Sequence, residues 1–239
     1  MKRAVILAGG KGTRLAPYTT VFPKPLMPLD ETPILEIVLR QLAQAGYERA
    51  TLAVGYLAEL IEAFFGDGTK IGIHVDYSRE DVPLGTAGPL ALVDGLTEPF
   101  LVMNGDVLAS LDYGAFLAGH AASGATASIL TALRRTQIDF GIVETDECGD
   151  LVGYIEKPTH DYYVSAGVYA FSPEVLPHIV LGERLDFPDL MLCLLDAGDR
   201  VRTVPFDGHW LDIGRHDDFA RAQEEFEIRK NELYGVEPA

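Results

Sequence analysis

Over its first hundred residues the chain keeps switching its hydrophobic period between that of a strand and that of a helix. Short β-rich runs at residues 4–7, 50–54, 73–77 and 100–103 alternate with amphipathic stretches at 33–45 and 57–65. Strand, helix and strand in succession build a parallel sheet, because each crossover helix must lie on a sheet face. The first helix carries its own end signals: Thr32 as N-cap, Pro33 at the first helical position and Gly46 as C-terminal cap. Gly66 ends the second. The character then changes. Runs at 125–133, 141–145 and 151–156 follow with little helix between them, Glu147-Cys148-Gly149-Asp150 reads as a hairpin turn, and 164–171 is a further strand. Helical patterns return at 173–179, 187–197 and 216–233. No linker, repeat or low-complexity segment intervenes. A mainly parallel half, 1–107, and a mixed half, 108–239, are therefore expected to share one sheet in a single domain.

The composition narrows the partners. With 239 residues, 48% of them hydrophobic, the chain can bury a sizeable core. No apolar run reaches the ~18 residues of a membrane span. Lys2, Arg3 and the apolar run to Ala8 resemble a signal peptide only superficially. The run stops at Gly9-Gly10 and is better read as a buried first strand. A net charge of −17 argues against DNA or RNA as partner, since their phosphates call for a basic surface. It leaves a single nucleotide open, because a triphosphate needs only a few local cations and can arrive with Mg²⁺. Cys148 and Cys193 are far apart and lack a C-x-x-C spacing, which speaks against a disulfide or zinc site and favours a cytoplasmic setting.

Chemistry concentrates first in the loop after the first strand, Ala8-Gly9-Gly10-Lys11-Gly12-Thr13-Arg14-Leu15. Glycines let backbone N–H groups approach phosphate oxygens, and Lys11 and Arg14 add cations where negative charge would sit. Two familiar loops are excluded. A dinucleotide-binding G-x-G-x-x-G requires glycine where Leu15 stands, and a P-loop requires Gly-Lys-Ser/Thr where this chain has Lys11-Gly12-Thr13.

Taken with Pro23-Lys24-Pro25, this loop resembles the signature of sugar-1-phosphate nucleotidylyltransferases. Further motifs of that family follow in order: Leu84-Gly85-Thr86-Ala87-Gly88, Asn104-Gly105-Asp106, Glu156-Lys157-Pro158 and Trp210-Leu211-Asp212-Ile213-Gly214. Each is weak alone, but together they cover residues 2 to about 222. The resemblance implies an α/β fold, a Rossmann-like three-layer sandwich with a central mixed, mainly parallel sheet. It also implies transfer of a nucleotidyl group from an NTP to a sugar 1-phosphate, with Mg²⁺ as cofactor. A sugar-phosphate oxygen attacks the α-phosphorus in line and pyrophosphate leaves. The attacking phosphate is largely dianionic near neutral pH, its second pKa being ~6, so no general base is needed. The protein must instead bring two anions together and neutralise the charge that grows on the leaving group.

Roles carried over from the resemblance follow that need. Arg14, with the amides of Ala8, Gly9, Gly10, Lys11, Gly12 and Thr13, would hold the β- and γ-phosphates. Lys24 would stand between the reacting phosphates, its backbone stiffened by the flanking prolines. Asp106 and Asp212 would share one Mg²⁺, which favours few protein ligands. Glu156 and Lys157 would hold the sugar phosphate, with Asn104, Gly141, Ser165 and Gly167 around the sugar. Gly85 and Thr86 would approach the base. Glu80 is the most informative residue for base choice. A carboxylate accepts from two adjacent donors, as guanine presents, and would also tolerate the amino group of cytosine, whereas uracil and thymine better suit a glutamine.

The run from Glu80 to Leu92 and the segment Gly208-His209-Trp210-Leu211-Asp212-Ile213-Gly214 most resemble mannose-1-phosphate guanylyltransferases. GTP and mannose 1-phosphate are therefore the favoured pair. Heptose 1-phosphate with GTP, or glucose 1-phosphate with dTTP, UTP or CTP, remain alternatives within the same chemistry. A nucleotide-sugar-binding regulatory subunit is the alternative outside it, although such a protein is expected to lose Arg14, Lys24, Asp106 or Asp212. Ser165-Ala166-Gly167 stands where the family often has Asn-Ala-Gly, which opens the identity of the sugar. The C-terminal hexapeptide-repeat domain of many relatives is absent. That is expected to remove one usual route to higher oligomers, and a homodimer is one expected assembly.

Overall fold

The computed structural model describes residues 1–234; residues 235–239, placed by the sequence at the end of the second half, lie outside the described residues. The first half runs β1 (Arg3–Leu7), a short ribbon of β2 (Pro28–Leu29) and β3 (Thr32–Pro33), α1 (Ile34–Gln44), β4 (Arg49–Val54), α2 (Ala58–Phe65), β5 (His74–Arg79), β6 (Phe100–Asn104) and β7 (Val107–Ala109). The second runs α3 (Tyr113–Ser123), β8 (Ala127–Gln137), β9 (Ile142–Thr145), β10 (Leu151–Ile155), β11 (Thr159–Phe171), α4 (Phe187–Asp196), β12 (Val201–Phe206), β13 (Trp210–Asp212) and α5 (His216–Tyr234).

Seven strands form one sheet in the order β12-β8-β11-β6-β1-β4-β5. Its pairings are parallel except on either side of β11, which runs antiparallel to both β8 and β6. The fold is thus the expected Rossmann-like α/β sandwich with a mixed, mainly parallel centre. Alternation along the strands shows that both faces are covered. Ala4 and Ile6 of β1, with Leu101 and Met103 of β6, enter the core beneath α1, α2, α3 and α5. Val5, Phe100 and Val102 enter a second core, packed by α4 and a 3₁₀ segment, Gly88–Leu92. Among the described residues no helix is long and apolar enough to cross a membrane.

Several local expectations are revised. Thr32 and Pro33 pair with β2 as strand, and Pro33 takes the cap position of α1 with an extended backbone (ψ 140°). Gly46, with φ 77°, does end that helix. Residues 173–178 form a 3₁₀ segment rather than an α-helix, since Pro177 lies inside it and has no N–H to donate. Helix α3 and strands β7, β12 and β13 were not anticipated. α3 is rich in small residues and lacks a clear apolar stripe, and the three strands are short or outwardly polar. β8 and β11 run four to five residues past their expected limits, at one end each. Those added ends pair with one another, Arg134 with Tyr162 out to Gln137 with Thr159, and are exposed. They form a ribbon beyond the packed sheet, and the β9–β10 hairpin is a separate, largely exposed two-stranded ribbon.

Candidate active site

Parallel strands end on the same edge of a sheet, and a ligand crevice forms outside their carboxyl ends. Here the ends of β1, β4, β5 and β6 open onto one cavity of about 1000 Å³. Its lining includes Ala8, Gly9, Gly10, Lys11, Gly12, Thr13 and Arg14 from the first loop, then Lys24, Glu80, Gly85, Thr86, Asn104 and Asp106. The loop is pinned at both ends: the Ala8 N–H donates to the Ala53 carbonyl (2.8 Å), and the Thr19 hydroxyl to the Gly12 carbonyl (2.8 Å). Lys11 and Arg14 are exposed at its rim. Lys24 is different. It lies in a 3₁₀ turn, Lys24–Leu26, and its side chain is only 10% exposed. A buried ammonium needs a partner, and Nζ of Lys24 forms an ion pair with Oδ2 of Asp106, itself 21% exposed.

Asp212 reaches the same place through a ribbon absent from the sequence reading. β13 runs antiparallel to β7, with Asp212 opposite Val107, and the Ile213 N–H donates to the Asp106 carbonyl (3.1 Å). Two carboxylates about 100 residues apart in sequence are thereby placed side by side. Burial, then the charge of Asp106, push the Asp212 carboxyl above the ordinary carboxylate range, against the opposing pull of Lys24 and Arg14. A side-chain carbon at Gly214 would lie 3.3 Å from Asp212 Oδ1 and 3.6 Å from Arg14 Nη1, so the guanidinium flanks the carboxylate. Among the described residues no group of three or more His, Cys, Asp or Glu gathers as a metal site. The pair Asp106 and Asp212 still fits Mg²⁺. Burial and the neighbouring charge of Asp106 raise the cost of ionising Asp212, which a divalent cation would relieve, and Mg²⁺ needs few protein ligands.

At the other end of the cavity, Oε2 of Glu80 accepts from the Leu84 N–H (2.9 Å). Its Oε1 fills the space of a side chain at Gly9, 2.7 Å from where a Cβ would stand, so a larger residue there would displace the carboxylate. Arg184 and Asp186 also line this end and escaped the sequence reading, because nothing local distinguishes them from the approach to a helix. Burial opposes ionisation of Asp186, but hydrogen bonds from Arg184 and Thr86 outweigh it and hold its carboxyl below the ordinary range.

The residues that the resemblance assigns to the sugar are less gathered. Gly167, with φ 72°, backs onto Asn104: a Cβ there would lie 2.8 Å from its Nδ2. Ser165 Oγ lies 2.8 Å from the Tyr169 hydroxyl. Gly141 lies against the ring of Tyr154 on the outer ribbon. Glu156 and Lys157, the latter with φ 45°, are exposed in the connection between β10 and β11, away from the cavity lining.

The model of the nucleotidyl transferase family matches residues 3–228. The chain is 34% identical over 258 aligned positions to UTP–glucose-1-phosphate uridylyltransferase of Synechocystis, covering 98% of the chain and 66% of that protein. It is 36% identical over 228 positions to mannose-1-phosphate guanylyltransferase of Mycobacterium tuberculosis, covering 91% and 62%. The chain thus spans less than two thirds of the length of these relatives. HddC from Yersinia pseudotuberculosis shares the fold, with a TM-score of 0.73 and 25% identity over 95% of this chain and 100% of that one. HddC has also been solved in complex with GMP-PN.

Proposed function

The chain belongs to the nucleotidyl transferase family, and from that premise we propose that it transfers a nucleotidyl group from an NTP to a sugar 1-phosphate. The new bond joins a sugar-phosphate oxygen to the α-phosphorus. The bond to the β-phosphate oxygen breaks, and pyrophosphate departs. The observation that carries this reading is the grouping at one end of the cavity. Lys24, Asp106, Asp212 and Arg14 converge beside a glycine-rich loop, supplying fixed charge where two phosphates would meet.

Lys24, held by Asp106 and its two prolines, is the preorganised cation at the α-phosphorus. Arg14 and the loop amides bind the β- and γ-phosphates. Asp106 and Asp212 would hold Mg²⁺, which when bound neutralises charge on the triphosphate and on the leaving pyrophosphate. Asn104 borders the cavity on the side assigned to the sugar, with Gly167 packed against it and Ser165 nearby in sequence. Glu156, Lys157 and Gly141 are assigned to the same substrate on the resemblance alone.

The finer reading is GTP with mannose 1-phosphate. It rests on Glu80, whose two oxygens each retain capacity to accept a further hydrogen bond beyond the one from Leu84. The M. tuberculosis relative carries the name of that activity. The Synechocystis relative, named for UTP and glucose 1-phosphate, is matched along more of the chain and supports the second reading. A pyrophosphate-release assay pairing GTP, UTP, dTTP, CTP and ATP with a panel of sugar 1-phosphates separates them. The account expects GTP to lead. Preference for UTP or dTTP would remove guanine selection by Glu80, and preference for CTP would make Glu80 a reader of one amino group.

A further inference from the structure

A segment far along the chain fastens the loop that faces the base end of the cavity. Asp186 occupies the N-cap position of α4, where an aspartate ordinarily accepts from the next amides of its own helix. Its side chain turns away instead. Oδ1 accepts from the Thr86 N–H at 2.9 Å, across 100 residues of sequence, and lies 3.4 Å from the Thr86 hydroxyl oxygen. The helix is capped by the other partner: the Phe187 N–H donates to Thr86 Oγ1 at 2.8 Å. Each segment thus supplies the cap the other lacks. Main-chain bonds close the junction, with the Ala87 N–H donating to the Leu185 carbonyl (2.9 Å) and the Leu185 N–H to the Leu84 carbonyl (2.9 Å). Gly85, at φ 82°, has no room for a side chain: a Cβ would lie 2.5 Å from the Leu185 oxygen and 2.8 Å from Asp186 Oδ1. Arg184 donates to Asp186 Oδ2 at 3.1 Å.

We propose that Asp186 is a positioning residue that fixes the 84–88 loop against the cavity and so sets discrimination among nucleobases. The proposal rests on the nucleotidyl-transfer reading above. Both polar groups of Thr86 bond to the Asp186–Phe187 segment, so the residue that the family signature places near the base acts by shaping the loop. The backbone of Gly85 and the carboxylate of Glu80, tied to the same loop through Leu84, take their places from it. Discrimination by hydrogen bonds demands such fixed placement, because a loop that yields can satisfy several bases.

Steady-state kinetics of the full chain with each NTP test this, using Asp186→Ala, Asp186→Asn and Asp186→Ser. Serine at the N-cap can cap α4 itself but is too short to reach Thr86, so it preserves the fold if alanine does not. Loss of one charge-assisted bond is expected to raise KM for the preferred NTP about tenfold in the Ala and Ser variants. The ranking among NTPs should be compressed by a similar factor, while KM for the sugar 1-phosphate stays within about twofold. Asp186→Asn keeps an acceptor at Oδ1 and should retain the ranking. Unchanged KM and ranking in folded Asp186→Ser, or an equal rise in KM for both substrates, would overturn the positioning role while leaving the activity standing. A wild type inert with every NTP would instead overturn the reading on which the role depends.

Discussion

Asp106 and Asp212 show what a residue's setting adds to its identity. Each aspartate alone reads as a turn or cap, but β7 and β13 pair them, and the like charge and burial on Asp212 give the pair a reason to bind a cation. Asp106→Asn and Asp212→Asn are each expected to lower kcat by ~10²-fold or more, the scale of losing one electrostatic stabiliser. Turnover undiminished in excess EDTA would contradict a metal role for the pair. A second contrast separates roles at the two ends of the reaction. Arg14→Ala should lower kcat more than it raises KM for sugar phosphate, since in the proposed role it meets charge that grows on the leaving group. Lys157→Ala should raise that KM more than it lowers kcat. Matching kinetic profiles for the two variants would show that these assignments are wrong. Of the residues picked from sequence, those of the first loop, with Lys24, Glu80, Gly85, Thr86, Asn104 and Asp106, share the cavity. Their motifs are contiguous and sit at strand ends. Asp186 had no such signal, because its partner lies 100 residues away and its local pattern is that of any helix start.

At the level of elements, hydrophobic period located the helices and strands that pack on two sides. It was weaker where an element is exposed or made of small residues. Helix α3, residues Tyr113–Ser123, packs through Tyr113, Phe116 and Leu117 between glycines and alanines that dilute the pattern. The outer ends of β8 and β11 are exposed and mostly polar, without an alternating pattern, so no hydrophobic period marks where they stop. Helix α5 offers a test of phase within one element. Phe226 is fully buried in the core with α1, whereas Ile228 is 81% exposed. Phe226→Ala is expected to cost about 3–5 kcal/mol of unfolding free energy. Ile228→Ala should stay within about 0.5 kcal/mol. Equal losses in urea unfolding would show that the helix packs on a different face.

For the whole molecule, the sheet order was the feature least legible in the sequence. Strand β11 lies antiparallel between β6 and β8, and so joins the strands of the second half to those of the first. No local pattern encodes that placement. A buried histidine connects the same sheet to global stability. His120 of α3 sits with Nδ1 2.8 Å from Ser128 Oγ and Nε2 3.1 Å from Ser172 Oγ. Ser172 Oγ donates to the Ala125 carbonyl, so Nε2 is the ring nitrogen that carries the proton and Nδ1 accepts from Ser128. Burial, then the charge of Arg202, depress its pKa below the ordinary value of 6.5. Between the depressed value and 6.5 the unfolded chain binds more protons than the folded one. This contribution to stability is therefore complete above the ordinary value and is lost as pH falls through the window. Urea unfolding at about pH 7.5 and about pH 5.5 should show a steeper loss for the wild type than for His120→Asn. Equal pH dependence would contradict the assignment. The central claim concerns which phosphorus is attacked, and ³¹P NMR of a mixture of GTP, mannose 1-phosphate, Mg²⁺ and the protein observes it directly. The account predicts that the α-phosphorus passes into a sugar diphosphate as pyrophosphate appears in equal amount. Inorganic phosphate released from the γ-position, or resonances unchanged with every NTP and sugar 1-phosphate tried, would contradict it.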